Sequence, residues 1–255
     1  NYDIKINKIN DIGEQQWSVP AVTSSLDNII KSIYSYPGSS GCIIIYESSS
    51  IFAGSHIYAM AVDGNGNVIS GWDDVLISNL SGNQEYESSV HTENGIFVSY
   101  KDDTSGNWDI YGQYILSDNG GLTFGPSGAA IAGGPNDQKS SSLAYNQNEN
   151  VLVCYEESAG SETDINCKEI LILTQSISDA IIISNNANNQ NAPNVSWSGS
   201  SYLIAWEDSR NSAGNPETDI YFQEYKNGYF TFLTGGVALS TFDKKQESPI
   251  IAKYS

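Results

Sequence analysis

Arginine is nearly missing from this chain: Arg210 is the only one in 255 residues. Lysine and arginine together number 11 against 30 acidic side chains, a formal net charge of −19. Phosphate recognition needs clustered basic groups, so nucleic acid is excluded as a partner, and with it an anionic membrane surface. No stretch is apolar for long enough to cross a bilayer as a helix, so membrane insertion is not expected. Methionine occurs once and histidine twice. The motifs GxSxG and HExxH and a phosphate-binding loop are absent, which removes common hydrolase and nucleotide chemistries. No segment holds a helical apolar period, so little or no helix is expected. No signal peptide is recognisable and the first residue is Asn1, as in a mature form or an excised piece. Serine, asparagine, glycine and tyrosine are plentiful instead, a composition suited to a secreted or cell-surface protein.

What is present is a repeat. Asp3-Ile4, His56-Ile57, Asp109-Ile110, Asp164-Ile165 and Asp219-Ile220 recur at spacings of 53, 53, 55 and 55. Each opens a short apolar segment: DIKIN, HIYAM, DIYGQ, DINCK and DIYFQ. A period of about 54 residues suits one four-stranded propeller blade and is too long for most helical repeats. A blade cannot bury its faces alone, so residues 1–255 are expected as one domain with units starting near 3, 56, 109, 164 and 219.

Each unit reads as short runs of β-branched and aromatic residues broken by polar turns. With strands lettered A to D from the innermost outwards, the A strands are KSIYS, SSVHT, SSLAY, PNVSW and PIIAK. The B strands are CIIIYES, IFVSYKD, VLVCYEE and YLIAWED, with Tyr46, Tyr100, Tyr155 and Trp206 in register. The Asp-Ile series forms C, and D often starts with an aromatic: Trp17, Trp72 and Phe124 are equivalent. The chain opens on C at Asp3 and ends on A at Ile250 to Tyr254, giving five A, four B, five C and five D strands. The expected fold is an all-β, five-bladed β-propeller of four-stranded antiparallel blades. Its closing blade is made from both termini and lacks one strand, B. An empty lane leaves A and C about 9–10 Å apart and both bordering edges unpaired. Further chain, a strand from a partner, or an open ring would each account for it. No spare strand in the sequence could serve as donor.

The pattern aromatic-Glu-Asp-Ser-Arg followed by Asp-Ile-Tyr-x-Gln, clearest in Trp206–Arg210 with Asp219–Gln223 and in Asp109–Gln113, resembles repeats of secreted bacterial and archaeal β-propeller proteins. That resemblance implies architecture and no particular activity. Ser117 to Phe124, SDNGGLTF, resembles the Asp-box turn of sialidases and related propellers, with Asn119 where the box has Asp. Sialidases clamp a carboxylate with three arginines, so the resemblance does not extend to their mechanism.

Candidate chemistry is sparse. His56 and His91 read as a C and an A residue of one blade, packed or at the surface. Each B-to-C turn is acidic at both ends: Asp102, Asp103 and Asp109; Glu156, Glu157 and Asp164; Glu207, Asp208 and Asp219. Converging carboxylates suit Ca²⁺, while the competing reading is turn capping by backbone N–H groups. Asp63, Asn65, Asn67 and Asp74 mimic a calcium loop, but Val68 stands where glycine is required, so a hairpin turn is expected. Trp108, in the polar turn TSGNW, is the candidate for ligand binding. If Glu157 opposes Asp164, Cys154 faces Cys167, and the pair is either a disulfide or two buried thiols. Cys42 reads as a packed thiol. Asn79-Leu80-Ser81 is a glycosylation sequon in a loop; Asn194-Val195-Ser196 lies on an inner strand.

The expected role is a non-enzymatic extracellular structural or adhesive module. It would join copies of itself or another surface protein into a filament or layer through the incomplete blade. No cofactor is expected beyond Ca²⁺ at the acidic turns. A carbohydrate-binding lectin and a propeller domain cut from a larger secreted enzyme are the alternatives.

Overall fold

The structure, a computed structural model, describes residues 3–22, 26–50, 54–211, 217–242 and 244–252. It is all-β, with five antiparallel sheets in chain order. The first sheet holds β1 (Ile4–Ile9) and β2 (Gln15–Val22). The second runs β3 (Asp27–Ser35), β4 (Cys42–Ser50), β5 (Gly54–Val62) and β6 (Val75–Leu76). The third is β7 (Gln84–His91), β8 (Gly95–Asp102), β9 (Asp109–Leu116) and β10 (Ala129–Ala132). In the fourth, β11 (Gln138–Tyr145), β12 (Asn150–Ala159) and β13 (Glu162–Leu171) precede β14 (Ser176–Ile177) and β15 (Ile181–Ser184), which both pair with β13. The fifth repeats this with β16 (Gln190–Trp197), β17 (Tyr202–Asp208), β18 (Asp219–Lys226), β19 (Tyr229–Phe230) and β20 (Val237–Ser240). These are the blades of a five-bladed β-propeller, and blade 1 has only its C and D strands in a ladder.

Small departures from the expected strands have local causes. Trp72 and Phe124 precede β6 and β10 rather than starting them, because each packs inward from the turn while the chain finds its outer edge later. His56 and His91 fall in adjacent blades, not in one: β5 belongs to the second sheet and β7 to the third. His56 Nδ1 lies 2.6 Å from Gln84 Oε1, and His91 stacks on Tyr34, so neither faces the other.

Burial is concentrated between blades. Separate apolar clusters fill the junctions of blades 1 and 2, 2 and 3, 3 and 4, and 4 and 5. The register aromatics Tyr46, Tyr100, Tyr155 and Trp206 are at most 2% exposed, each packed toward the preceding blade. Burying such a side chain contributes roughly 1.5–3 kcal/mol, so these junctions hold the ring together. Turns are closed by side chains. Asn10 and Asp63 each accept two backbone N–H bonds of their own hairpin. The Asp63 contacts make DGNGN a hairpin turn and hold its carboxyl below the usual range. Asn119 accepts the Gly121 N–H at 2.8 Å and closes its own turn.

Candidate functional site

The site is the incomplete blade, and the segment after β20 defines one wall of it. No ladder is formed at 246–252, yet three features of the other inner strands recur there. The first is a glutamine cap. Gln84 Nε2 donates to the carbonyls of Leu80 and Gly82, and Gln190 Nε2 to those of Asn186 and Asn188. Gln246 Nε2 donates in the same way to Phe242 and Lys244. The second is a bulge. Ser140, Ala192 and Ser248 stand at the same place in three inner strands with φ of 56°, 49° and 55°. Non-glycine residues rarely adopt this region, so its recurrence marks a shared backbone path.

The third feature links blades. The Tyr86 N–H donates to Glu47 at 3.2 Å, that of Ala192 to Glu156 at 2.7 Å and that of Ser248 to Glu207 at 2.7 Å. Each glutamate follows the register aromatic of one B strand and captures the inner strand of the next blade. Between blades 3 and 4 the B-strand position is Lys101, and Glu87 substitutes by accepting the Ser141 N–H at 2.9 Å. Lys101 pairs with Glu85 and Glu87 at 2.9 and 3.8 Å. Burial pushes the Glu87 carboxyl up to about 7 against the pull of Lys101. The Ile251 N–H also bonds Asn194 Oδ1 at 2.8 Å, as the Val195 N–H bonds Ser142 Oγ at 3.1 Å. Residues 246–252 are therefore seated as an inner strand without the B strand that would pair with it. Tyr254, the expected end of that strand, lies outside the described residues.

The other wall is β1, whose one ladder partner among the described residues is β2. A cleft of about 620 Å³ lies beside it, lined by Asp3, Ile4, Lys5, Asn28, Ile29 and Ile30. The apolar cover is also missing on the side of blade 5. Ile131 and Ile183 are 1% and 0% exposed, while their equivalent Leu239 is 62% exposed. Leu203 and Ile220 are half-buried where their counterparts in the other blades are sealed. Among the described residues no apolar cluster joins blades 5 and 1.

Most of the acidic turn residues accept hydrogen bonds from side chains and backbone N–H groups of their own turns and neighbouring loops. Asp102 accepts from Gln84 Nε2 and the Thr104 N–H, and Asp103 from Asn83. Asp109 accepts from Ser105, Asn107 and the Gly134 N–H. Glu157 takes Asn166 Nδ2, Asp208 takes Trp206 and Arg210, and Asp219 takes Asn211. Glu156 and Glu207 are the blade links already described. Burial, with Glu157 and Glu162 close by, raises the Asp164 carboxyl. Among the described residues, no three His, Cys, Asp or Glu side chains converge to hold a metal ion.

Trp108 is half-buried rather than open, because the Lys101 ammonium sits 4.7 Å from its ring centre. Cys154 and Cys167 face each other across β12 and β13 in the expected register and form a disulfide, with Glu157 opposite Asp164. Cys42 is a free, half-buried thiol, raised in pKa by burial. Asn79 is exposed in its loop, whereas Asn194 is engaged with Ile251. A further cleft of about 370 Å³ lies between blades 2 and 3, lined by Tyr36, Pro37, Glu93, Asn94, Leu116, Ser117 and Asp118. Composition does not mark the glutamine caps or the linking glutamates; their recurrence at the period of the blades is the signal that finds them.

No family model matches the sequence, and no curated protein matches it. Among solved structures, the chain is similar to a puromycin-hydrolysing peptidase of Mycobacterium tuberculosis, with TM-score 0.50 and 12% identity, over 91% of this chain and 31% of that one. It is also similar to an endo-arabinase of Bacteroides thetaiotaomicron, with TM-score 0.43 and 12% identity, over 96% of this chain and 89% of that one. A putative TolB of Agrobacterium tumefaciens gives TM-score 0.44 and 14% identity, over 78% of this chain. The chain spans 61% of that TolB's length. At these identities the likeness concerns the fold alone.

Proposed function

We propose that this propeller is a non-enzymatic structural or adhesive module of the cell exterior, joined to copies of itself or to another surface protein through its incomplete blade. One observation carries the reading: residues 246–252 are held as an inner strand by Glu207 and Asn194, with no B strand beside them among the described residues. Two unpaired strand edges next to exposed Leu239 form a surface that is completed by adding a strand. The disulfide supports an oxidising compartment. Asp102, Asp103, Asp109, Glu157, Asp208 and Asp219 are engaged in turns, and Glu156 and Glu207 in blade links. Sedimentation velocity across a wide concentration range, with electron microscopy of the concentrated protein, tests the association. A monomer at every concentration that also ignores its native surface partners refutes it.

A second reading is carbohydrate binding at the cleft between blades 2 and 3. It is favoured by one aromatic wall, Tyr36, opposite the polar side chains of Glu93, Asn94 and Asp118. Glycan-array binding that is lost in Tyr36→Ala supports it, and a blank array removes it.

A further inference from the structure

We infer that the open lane takes one extended peptide strand of defined chemistry, supplied from outside these 255 residues. That strand is apolar on both faces and ends in an aromatic residue followed by glutamate. The inference rests on the proposed association and names its occupant. Every described strand is already paired in a sheet of its own molecule.

The molecule states the apolar requirement three times. At blades 2, 3 and 4 the B strand sends alternate side chains to opposite junctions. Ile43 and Ile45 pack toward blade 3, and Ile44 and Tyr46 toward blade 1. Val153 and Tyr155 pack toward blade 3, and Leu152 and Cys154 toward blade 5. A strand in the open lane meets the same two surfaces. Its backward face covers Leu203, Ile220 and Leu239, whose counterparts are sealed elsewhere. Its forward face meets Ile4, Ile44 and Met60 of the cluster between blades 1 and 2.

The end of the strand is specified by the blade link. Glu47, Glu156 and Glu207 each follow the register aromatic, oppose the Asp-Ile or His-Ile isoleucine of their own C strand, and bond the bulge of the next inner strand. In blade 1 that isoleucine is Ile4, and the bulge ahead is at Ile30, opposite Tyr46. Both residues line the 620 Å³ cleft, with Lys5 beside them. A carboxylate there lies near a backbone N–H and the Lys5 ammonium, with the Asp3 carboxyl in the same cleft, so an acidic strand end that pairs with the N–H and Lys5 is selected.

A synthetic peptide copying Ser201–Ser209 is the probe. Fluorescence anisotropy with the intact 255-residue protein should give saturable binding, and hydrogen exchange should slow at Ile4–Ile9 and at 246–252. Replacing the peptide's glutamate by alanine should weaken binding about tenfold, the value of one hydrogen bond to a charged group. Leu239→Lys changes an exposed residue, so it should leave the free protein's melting temperature unchanged while abolishing capture. Binding by a scrambled peptide of equal composition, or no protection at either edge, overturns the inference. Assembly of the protein without peptide capture removes this occupant and leaves the proposed association standing. Capture by a strictly monomeric protein supports the occupant and counts against self-association.

Discussion

Replacing Arg210 by methionine should cost about 3 kcal/mol of folding stability. The guanidinium donates to both oxygens of Asp208 at 2.9 and 2.5 Å, to Ser184 Oγ at 3.1 Å and to the Gly235 carbonyl at 2.7 Å. Its Cζ lies 3.9 Å from the centre of the Tyr221 ring. Asp208 is wholly buried, with 0% side-chain exposure. Removing one partner of a buried ion pair costs roughly 3–5 kcal/mol, because the remaining charge is left unpaired in a poorly polar environment. The Trp206 indole and the Arg210 backbone N–H still bond Asp208, which places the cost at the low end of that range. In a chain of this size about 3 kcal/mol corresponds to a melting-point fall of roughly 6–12 °C. Lysine should not rescue, since it lacks the planar fork that reaches two oxygens and a carbonyl together. Arg210→Met with Asp208→Asn removes the stranded charge and should recover at least half of the loss. Scanning calorimetry with urea titration measures all four proteins. A loss below about 1 kcal/mol for Arg210→Met, or a double variant no better than the single, refutes the reasoning.

Glu87 has a folded pKa of about 7, raised from its ordinary value chiefly by burial. The folded state therefore binds the proton more tightly than the unfolded chain, and this carboxyl subtracts stability as pH rises from about 4.5 to 7. Wild-type stability relative to Glu87→Gln should fall across that window by up to about 3 kcal/mol, and a flat difference curve refutes the assignment. Cys154→Ser with Cys167→Ser should lower stability by about 2–3 kcal/mol, since the closed loop is short. Reductant should lower the wild type similarly and leave the variant unmoved in thermal melts. Secretion from a eukaryotic host should glycosylate Asn79 and leave Asn194 bare; peptide mass spectrometry reads both sites, and glycan at Asn194 contradicts its engagement with Ile251.

Architecture was legible because one backbone period controls it. The Asp-Ile series, the register aromatics and the missing B strand all follow from pairing geometry, and the cysteine register follows from the turn length between β12 and β13. Site properties were less legible where they depend on contacts between blades. The opening of Trp108 could not be judged from its polar turn, because Lys101, on the neighbouring β8, covers it in space. The two histidines share one repeat unit counted from its C strand, but a sheet is bounded by its A strand, which puts them in adjacent blades. The acidic turns suggested a cation from their composition. Most of their oxygens instead accept from N–H and hydroxyl groups that only the folded turn brings close.

Lysine placement bears on which strand the open blade selects. Lys5 is exposed on the free edge of β1, and Lys8 on the same strand reaches across to Ser40 and the Gly64 carbonyl. A lysine on an exposed edge opposes pairing with an identical edge, since two copies would bring like charges together. That arrangement disfavours joining β1 to β1 of a second molecule, although the protein has a strongly acidic surface and few lysines to place there. An incoming strand with an acidic end is attracted by Lys5, which offsets the like charge of Asp3 in the same cleft. The B strands of this chain end in Glu47, Asp102, Glu156 with Glu157, and Glu207 with Asp208, so the edge is matched to the kind of strand it lacks. The same lysine that guards the gap against aggregation therefore also sets the charge of what can fill it.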